Sequence, residues 1–226
     1  MNVIVFASRK GGSGKSTLAA HLSTHAHLPS RPCLLIDADP QGSLTLWHKL
    51  RGAGEPPLRV ATRSVSEIVK AAKRDGCDWV FIDTQPTMNA LVADALRAAT
   101  LVIIPARPTV FDLMAVRDTI DLARELRKPY AVVINSAPPR RDGEDSPIVA
   151  QARQGLAKFK IPVWGGQITN RSSLAQALAR GEGAREFDAT SYGAAEVSRL
   201  WSAIEKSVEA IHGAHKTADV MHRAAA

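Results

Sequence analysis

A run of glycine, lysine and hydroxyl residues near the N-terminus has the composition of an anion-binding turn. It extends from Arg9 to Thr17 and contains three glycines and two lysines. An apolar run, Val3 to Phe6, precedes it, and Leu18 and Leu22 follow with the spacing of one helix face. Glycines permit the tight curve that turns backbone N–H groups toward phosphate oxygens, and a helix N-terminus adds its positive dipole end. The pattern predicts a nucleotide-phosphate loop between a strand and a helix.

The side chains of this loop have separate expected roles. Lys15 is placed to reach the β- and γ-phosphates of ATP, Ser16 to supply a hydroxyl to Mg²⁺, and Thr17 to lie beside the α-phosphate. The remaining nucleotide-binding positions are Lys10, Gly11, Gly12, Ser13 and Gly14. Arg9 replaces the first glycine of the usual G-x-x-x-x-G-K-S/T pattern. A dinucleotide site of the G-x-G-x-x-G type is not matched, because Thr17 stands where its last glycine should be.

Polar residues also follow three of the later apolar runs. Asp37 and Asp39 have the two-residue spacing that projects side chains to one side of a strand, and Asp83 follows the run from Trp79 to Ile82. Doubly wound sheets bind ligands at the carboxyl ends of their strands, so Asp83 is suited to hold Mg²⁺ through water. The amide of Asn135 offers a donor and an acceptor for an adenine edge, although a turn-forming asparagine is the alternative.

The elements that position these residues alternate between strand and helix. Apolar runs without polar alternation recur at 33–36, 79–82, 101–104 and 131–134, which is typical of parallel strands covered on both faces. Segments near 65–75, 88–98 and 111–127 have the spacing and length of crossover helices. The sequence therefore predicts an α/β fold with a doubly wound, mostly parallel sheet flanked by helices.

The same pass along the chain predicts its organisation. We expect one domain over residues 1–213, loose segments at 52–57 and 136–147, and a frayed tail over residues 214–226. The last helix should have a packed face, formed by Val197, Leu200, Trp201, Ile204, Val208 and Ile211.

Composition limits the classes of partner and compartment. The 226 residues carry a formal charge of +7, which favours polyanions such as nucleic acid, although the excess could serve solubility alone. No apolar stretch reaches the roughly 18 residues of a membrane span. Cys33 and Cys77 adjoin apolar runs and are interpreted as small core residues rather than ligands or a disulfide. We expect a cytoplasmic protein.

The run from Lys10 to Ser16 resembles the deviant Walker A motif of the ParA/MinD family of ATPases, and is most similar to the small ParF-type partition ATPases. The resemblance implies that Lys10 crosses an ATP-bound homodimer to the partner subunit's phosphates. It implies that Asp39 orients the attacking water, that Asp37 supports the magnesium shell, and that Asn135 lies near the base. Lys10, Lys15 and Asp39 are then the catalytic set.

Two further segments bear on this resemblance. Residues 104–109, Ile-Pro-Ala-Arg-Pro-Thr, resemble the family's proline-containing strand end near the dimer interface and base pocket. After Asp83 the family usually continues with two prolines beyond one intervening residue, whereas this chain has Thr84, Gln85 and Pro86. Gln85 therefore alters the expected geometry of the segment after the metal-binding aspartate.

Three functions compete on these grounds. The first is an ATP-dependent dimer that binds DNA nonspecifically, is stimulated by a ParB-like or adaptor protein, and associates with the nucleoid; Arg171, Arg180 and Arg185 are its candidate DNA contacts. The second is a MinD-like membrane-associated ATPase, but beyond Ile211 only Val220 and Met221 are large and apolar, so no stable membrane association is expected. The third is transfer of phosphate to a small substrate, for which no second substrate motif is evident.

Overall fold

The computed structural model describes residues 1–52 and 54–224 of the chain, and its centre is a six-stranded sheet. The strands are β1 (Asn2–Phe6), β2 (Cys33–Ala38), β3 (Leu58–Val60), β4 (Trp79–Thr84), β5 (Leu101–Ala106) and β6 (Tyr130–Ile134). All pairs are parallel in the order β3-β2-β4-β1-β5-β6, and Val5 of the central strand lies opposite Ile82 and Val102. The predicted doubly wound parallel sheet is confirmed.

Helices cover both faces of this sheet. They are α1 (Lys15–Ala26), α2 (Ser43–Arg51), α3 (Val65–Arg74), α4 (Ala90–Ala98), α5 (Val110–Glu125), α6 (Pro147–Lys158), α7 (Ser172–Ala179), α8 (Ala184–Phe187) and α9 (Tyr192–Ala224). Helices α3 to α6 pack on one face, and α1, α2 and α7 to α9 pack on the other. The three predicted crossover helices are α3, α4 and α5.

The core on the α1 side is built around aromatic rings. Phe6 and Phe81 are fully buried on neighbouring strands, with ring centroids 6.5 Å apart. Trp201 of α9 meets Trp79 edge to face at 4.6 Å between centroids. The predicted packed face of α9 is confirmed, since its residues up to Val208 are buried in this cluster and Ile211 packs against it. Helix α9 therefore packs against the sheet through this face.

The structure differs from the sequence predictions at several boundaries. Strand β3 was not predicted, because its three residues are half or fully exposed and form no apolar run. Helix α6 begins at Pro147, the last residue of the loose segment predicted over 136–147; proline is well suited to a first helical position. Helix α9 is described to Ala224, since residues 214–224 contain neither proline nor glycine to break a helix, and the frayed tail expected over residues 214–226 stays a prediction.

The cysteines and the search for membrane spans add two observations. Cys33 is buried and Cys77 half-buried, both as free thiols, and burial raises the pKa of Cys33 to about 12. Cys33 therefore behaves as a core residue, as predicted. Among the described helices, none is both long and apolar enough to cross a membrane. Val220 and Met221 lie outside the described side chains.

Candidate functional site

The segment between β1 and α1 forms an open backbone cradle at the carboxyl edge of the sheet. Within the described part of the chain, the backbone N–H groups from Gly11 to Thr17 have no hydrogen-bond acceptor. Gly14 precedes the helix with φ of 99°, a backbone conformation that residues other than glycine rarely adopt. A row of free amides at a helix N-terminus is the arrangement that binds phosphate, so the predicted loop has its expected form.

The side chains of Asn135 and Arg107 support this cradle by donating to its carbonyl oxygens. The Nδ2 group of Asn135, which is buried, donates to the carbonyl oxygen of Ser13 at 2.7 Å. A Cβ on Gly14 would collide with that same nitrogen. One N–H of the Asn135 amide thus supports the phosphate loop, because the end of β6 lies directly beside it, and the place of Asn135 at the adenine edge stays a prediction.

Arg107 is a site residue that the sequence analysis did not assign. It follows β5, is exposed, and its guanidinium donates to the carbonyl oxygen of Gly12. The available signal was its place in the proline-containing segment at the same sheet edge. Together, Arg107 and Asn135 satisfy two consecutive carbonyls of the loop and leave its amides free for a ligand.

The two lysines of the loop differ in their surroundings. Lys15 is 6% exposed, and its Nζ lies 3.4 Å from the carbonyl oxygens of Ser8 and Lys10. Burial lowers the pKa of Lys15, against the opposing charges of Asp83 and Asp39. Lys10 itself is exposed and forms no ion pair among the described residues. One lysine is thus enclosed by the loop, and the other points its charge at solvent.

Asp83 ends the apolar part of β4 and is the carboxylate best suited to a metal ion. It is fully buried, and both of its carboxylate oxygens are without a hydrogen-bond partner in the described part of the chain. Burial raises the pKa of Asp83 to about 7, while the Ser16 hydroxyl and the Lys15 ammonium act in the opposite direction. An orphaned buried carboxylate beside a serine hydroxyl is a donor set that Mg²⁺ accepts, so the residues fit that ion.

Asp37 and Asp39 are brought to the same edge, but protein donors already engage them. Asp37 is 1% exposed and accepts hydrogen bonds from Thr45 and from the backbone of Asp39. Half-buried Asp39 accepts from the backbone N–H of Gln41 at 2.9 Å, so in this state it caps the turn beside Pro40. The roles of Asp37 toward magnesium and of Asp39 toward water stay predictions.

The segment after Asp83 has a defined local structure. The Thr84 hydroxyl donates to the carbonyl oxygen of Phe6 at 2.8 Å, which fixes the end of β4 to β1. The Gln85 side chain donates to the carbonyl oxygen of Thr87 at 3.3 Å. Gln85 stands where the family usually has the first of its two prolines, and its amide stabilises its own turn.

The three candidate DNA contacts are not equivalent. Arg171 donates to the carboxylate of Glu196 at 2.9 Å and lies over the ring of Tyr192, so it neutralises a buried acid, and its role as a DNA contact stays a prediction. Arg180 is exposed, with its guanidinium over the Phe187 ring, and Arg185 is exposed on α8. Neither Arg180 nor Arg185 has an acidic partner among the described residues.

Comparison with known proteins agrees with this geometry. The chain is 37% identical to Protein ParA of Rhizobium radiobacter over 130 residues, covering 55% of this chain and only 57% of that protein, little more than half its length. It is 26% identical to the chromosome-partitioning ATPase Soj of Thermus thermophilus over 230 residues, covering 87% of this chain and 92% of Soj.

Solved structures show the same fold. The septum site-determining protein MinD of Pyrococcus horikoshii, complexed with Mg-ADP, superposes with a TM-score of 0.70 at 17% identity, covering 93% of this chain and 98% of MinD. The family model described as the CobQ/CobB/MinD/ParA nucleotide binding domain matches residues 4–184. Because that match spans most of the chain and includes the whole cradle, the protein belongs to the CobQ/CobB/MinD/ParA nucleotide-binding domain family.

Proposed function

We propose that this protein is an ATPase that dimerises with ATP, binds DNA nonspecifically, and drives the partition or positioning of a plasmid, a chromosome region or another large cargo. A ParB-like or adaptor protein would stimulate its slow hydrolysis. The protein would act in the cytoplasm, on the nucleoid. The names of the ParA and Soj relatives support this class of function.

The observation that carries the proposal is the separation of the two lysines. Lys15 is enclosed by the loop that would hold the phosphates of its own subunit, whereas Lys10 is exposed at the rim and unpaired among the described residues. A second copy of the chain could bring its Lys10 to the same phosphates, where an added cation stabilises the charge that develops during phosphoryl transfer.

The remaining chemistry is divided among three groups. The free amides of the cradle and Lys15 bind the phosphates, and Asp39 orients the attacking water. Ser16 and Asp83 would hold Mg²⁺, which supplies charge neutralisation between phosphate oxygens when bound. A single carboxylate that positions water without acting as a strong base suits slow hydrolysis. Slow hydrolysis would set how long the ATP-bound dimer persists.

For the DNA surface we favour Arg180 and Arg185 over Arg171. Both are exposed at the end of α7 and on α8, and neither is committed to an acid among the described residues. Contacts to DNA phosphates release counterions, so binding through these residues should weaken steeply with salt. The excess of 29 basic over 22 acidic residues favours such a partner in general terms.

Two alternatives remain as outcomes of the test. A MinD-like protein would bind anionic lipid vesicles rather than DNA in its ATP state. A phosphotransfer enzyme would hydrolyse or transfer ATP as a monomer and would bind neither DNA nor lipid.

The experiment measures DNA retention of the Asp39→Ala protein with ATP, with ADP and without nucleotide, at two salt concentrations, together with its mass in solution. We expect a dimer that is retained only with ATP and that dissociates at high salt. Lys15→Ala should lose ATP affinity and dimerisation together. Equal behaviour of the two variants would contradict their separate roles, and an ATP-independent monomer without DNA binding would refute the proposal.

A charge reversal locates the DNA surface. Arg180→Glu with Arg185→Glu, in the Asp39→Ala protein, should abolish DNA retention while the ATP-dependent dimer persists. Lys73→Glu with Arg74→Glu is the matched control, because both residues are exposed on α3, on the opposite face of the sheet, and the net charge changes by the same amount. If the control loses DNA binding equally, net charge rather than this surface is responsible.

A further inference from the structure

The carboxylate of Asp37 accepts three hydrogen bonds that join β2, the turn after it, and α2. We call this group of contacts the junction. Its Oδ2 accepts from the backbone N–H of Thr45 at 2.8 Å and from the Thr45 hydroxyl at 2.6 Å. Its Oδ1 accepts from the backbone N–H of Asp39 at 3.1 Å. One buried carboxylate therefore connects the first turn of α2 to the residue whose side chain is proposed to orient water.

The junction depends on Thr45. A buried carboxylate is stable only when donors replace its lost hydration, and two of the three protein donors to Asp37 come from this residue. Asp37 also lies opposite Asp83 in the β2–β4 register, so a second carboxylate is its neighbour across the strands. Without the Thr45 hydroxyl, repulsion between the two carboxylates would favour rotation of Asp37.

Rotation of Asp37 would affect Asp39 through the backbone. The Asp39 N–H has Asp37 Oδ1 as its acceptor, while the Asp39 side chain caps the next turn at Gln41. A rotation of Asp37 removes that acceptor and frees the turn that carries the Asp39 carboxylate. Displacement of a catalytic group by about 1 Å can cost about 100-fold in rate.

We propose that Thr45 is a positioning residue for ATP hydrolysis: it holds Asp37, and Asp37 in turn fixes the backbone of Asp39. The inference rests on the proposed ATPase function and on the water-orienting role of Asp39. Thr45 contacts neither the phosphate cradle nor Asp83 by hydrogen bond among the described residues, so its effect should fall on the hydrolysis step and not on nucleotide binding.

The test compares Thr45→Val, which keeps the shape and removes the hydroxyl, with Thr45→Ser, which keeps the hydroxyl. The single-turnover rate constant for Mg-ATP hydrolysis should fall about 10- to 100-fold in Thr45→Val, while the dissociation constant for ATP changes less than about threefold. Thr45→Ser should restore the rate to within about threefold of wild type. Thr45→Ala serves if the valine variant does not fold, and thermal melts of all variants establish that they are folded.

Ser43→Ala is the matched control, since it removes an exposed hydroxyl from the same helical turn and should leave the rate unchanged. A wild-type rate in Thr45→Val, a parallel loss of ATP affinity, or failure of serine to restore the rate would each overturn the inference. If the wild-type protein itself does not hydrolyse ATP, the proposed function fails first and this inference with it. A hydrolysing wild type with an unaffected valine variant overturns this inference alone.

Discussion

His21 should make the stability of this fold depend on pH. It lies on α1, is 1% exposed, and its Nδ1 accepts from the backbone N–H of Ala184 at 3.1 Å, which ties α1 to α8. Burial lowers the pKa of His21 from 6.5 to about 4, with smaller opposing effects from the Leu174 carbonyl and the Glu186 charge. Protonation would also place a hydrogen on the nitrogen that accepts from Ala184, so the charged form loses this bond.

The sign and size follow from the two pKa values. Because the folded-state pKa lies below the unfolded one, the unfolded chain binds the proton more tightly, and stability is lost as pH falls from 6.5 through 4. The full difference corresponds to about 3 kcal/mol below pH 4, and about 2 kcal/mol of it is already lost at pH 5. At pH 7 and above, His21 lowers the free energy of unfolding by almost nothing.

The assay is urea unfolding followed by circular dichroism at pH 7.5 and pH 5. His21→Asn places an amide oxygen near the position of Nδ1 and removes the titration, at a cost of about 1–2 kcal/mol in packing at pH 7.5. The free energy of unfolding of the wild type, minus that of the variant, should therefore fall by about 2 kcal/mol from pH 7.5 to pH 5. Other groups titrate equally in both proteins and cancel. A pH-independent difference would refute the assigned pKa.

Three further outcomes are expected. Gly14→Ala should weaken binding of a fluorescent ATP analogue at least about tenfold, because its Cβ would collide with the Asn135 amide, and adding Asn135→Ala should recover part of the loss; an unchanged affinity would contradict the cradle geometry. Asp83→Asn should raise the Mg²⁺ concentration that half-saturates hydrolysis by about 10- to 100-fold, and an unchanged magnesium titration would remove Asp83 from the metal site. Arg171→Met should lower the urea-unfolding free energy by about 2–3 kcal/mol by leaving Glu196 unpaired, and Glu196→Gln should recover most of it if the pair is structural.

The sheet and its phosphate loop could be predicted from the sequence because their signals are local. Continuous apolar runs such as Trp79 to Ile82 are required of strands covered on both faces, and they give the strands directly. The glycines before Lys15 are required by the backbone of the cradle itself. The position of Asp83 then follows from the direction of its strand.

Side-chain partners could not be predicted in the same way, because they depend on contacts between distant segments. Asn135 and Ser13 are separated by 122 residues, and nothing near either one indicates that an amide supports a carbonyl there. Arg171 has the charge of a DNA contact, yet its acidic partner lies 25 residues away on α9. Strand β3 escaped prediction for a different reason: an edge strand with exposed side chains has no apolar run to reveal it.

The edge-to-face contact of Trp79 with Trp201 gives the docking of α9 an optical signature. Two indoles with centroids 4.6 Å apart in a rigid, asymmetric setting contribute to the near-ultraviolet dichroic signal that fixed tertiary packing produces. One ring belongs to the sheet and the other to the last helix, so this signal reports whether that helix is seated. Neither indole belongs to the phosphate cradle, which means that detachment of the C-terminal helix can be followed separately from events at the nucleotide.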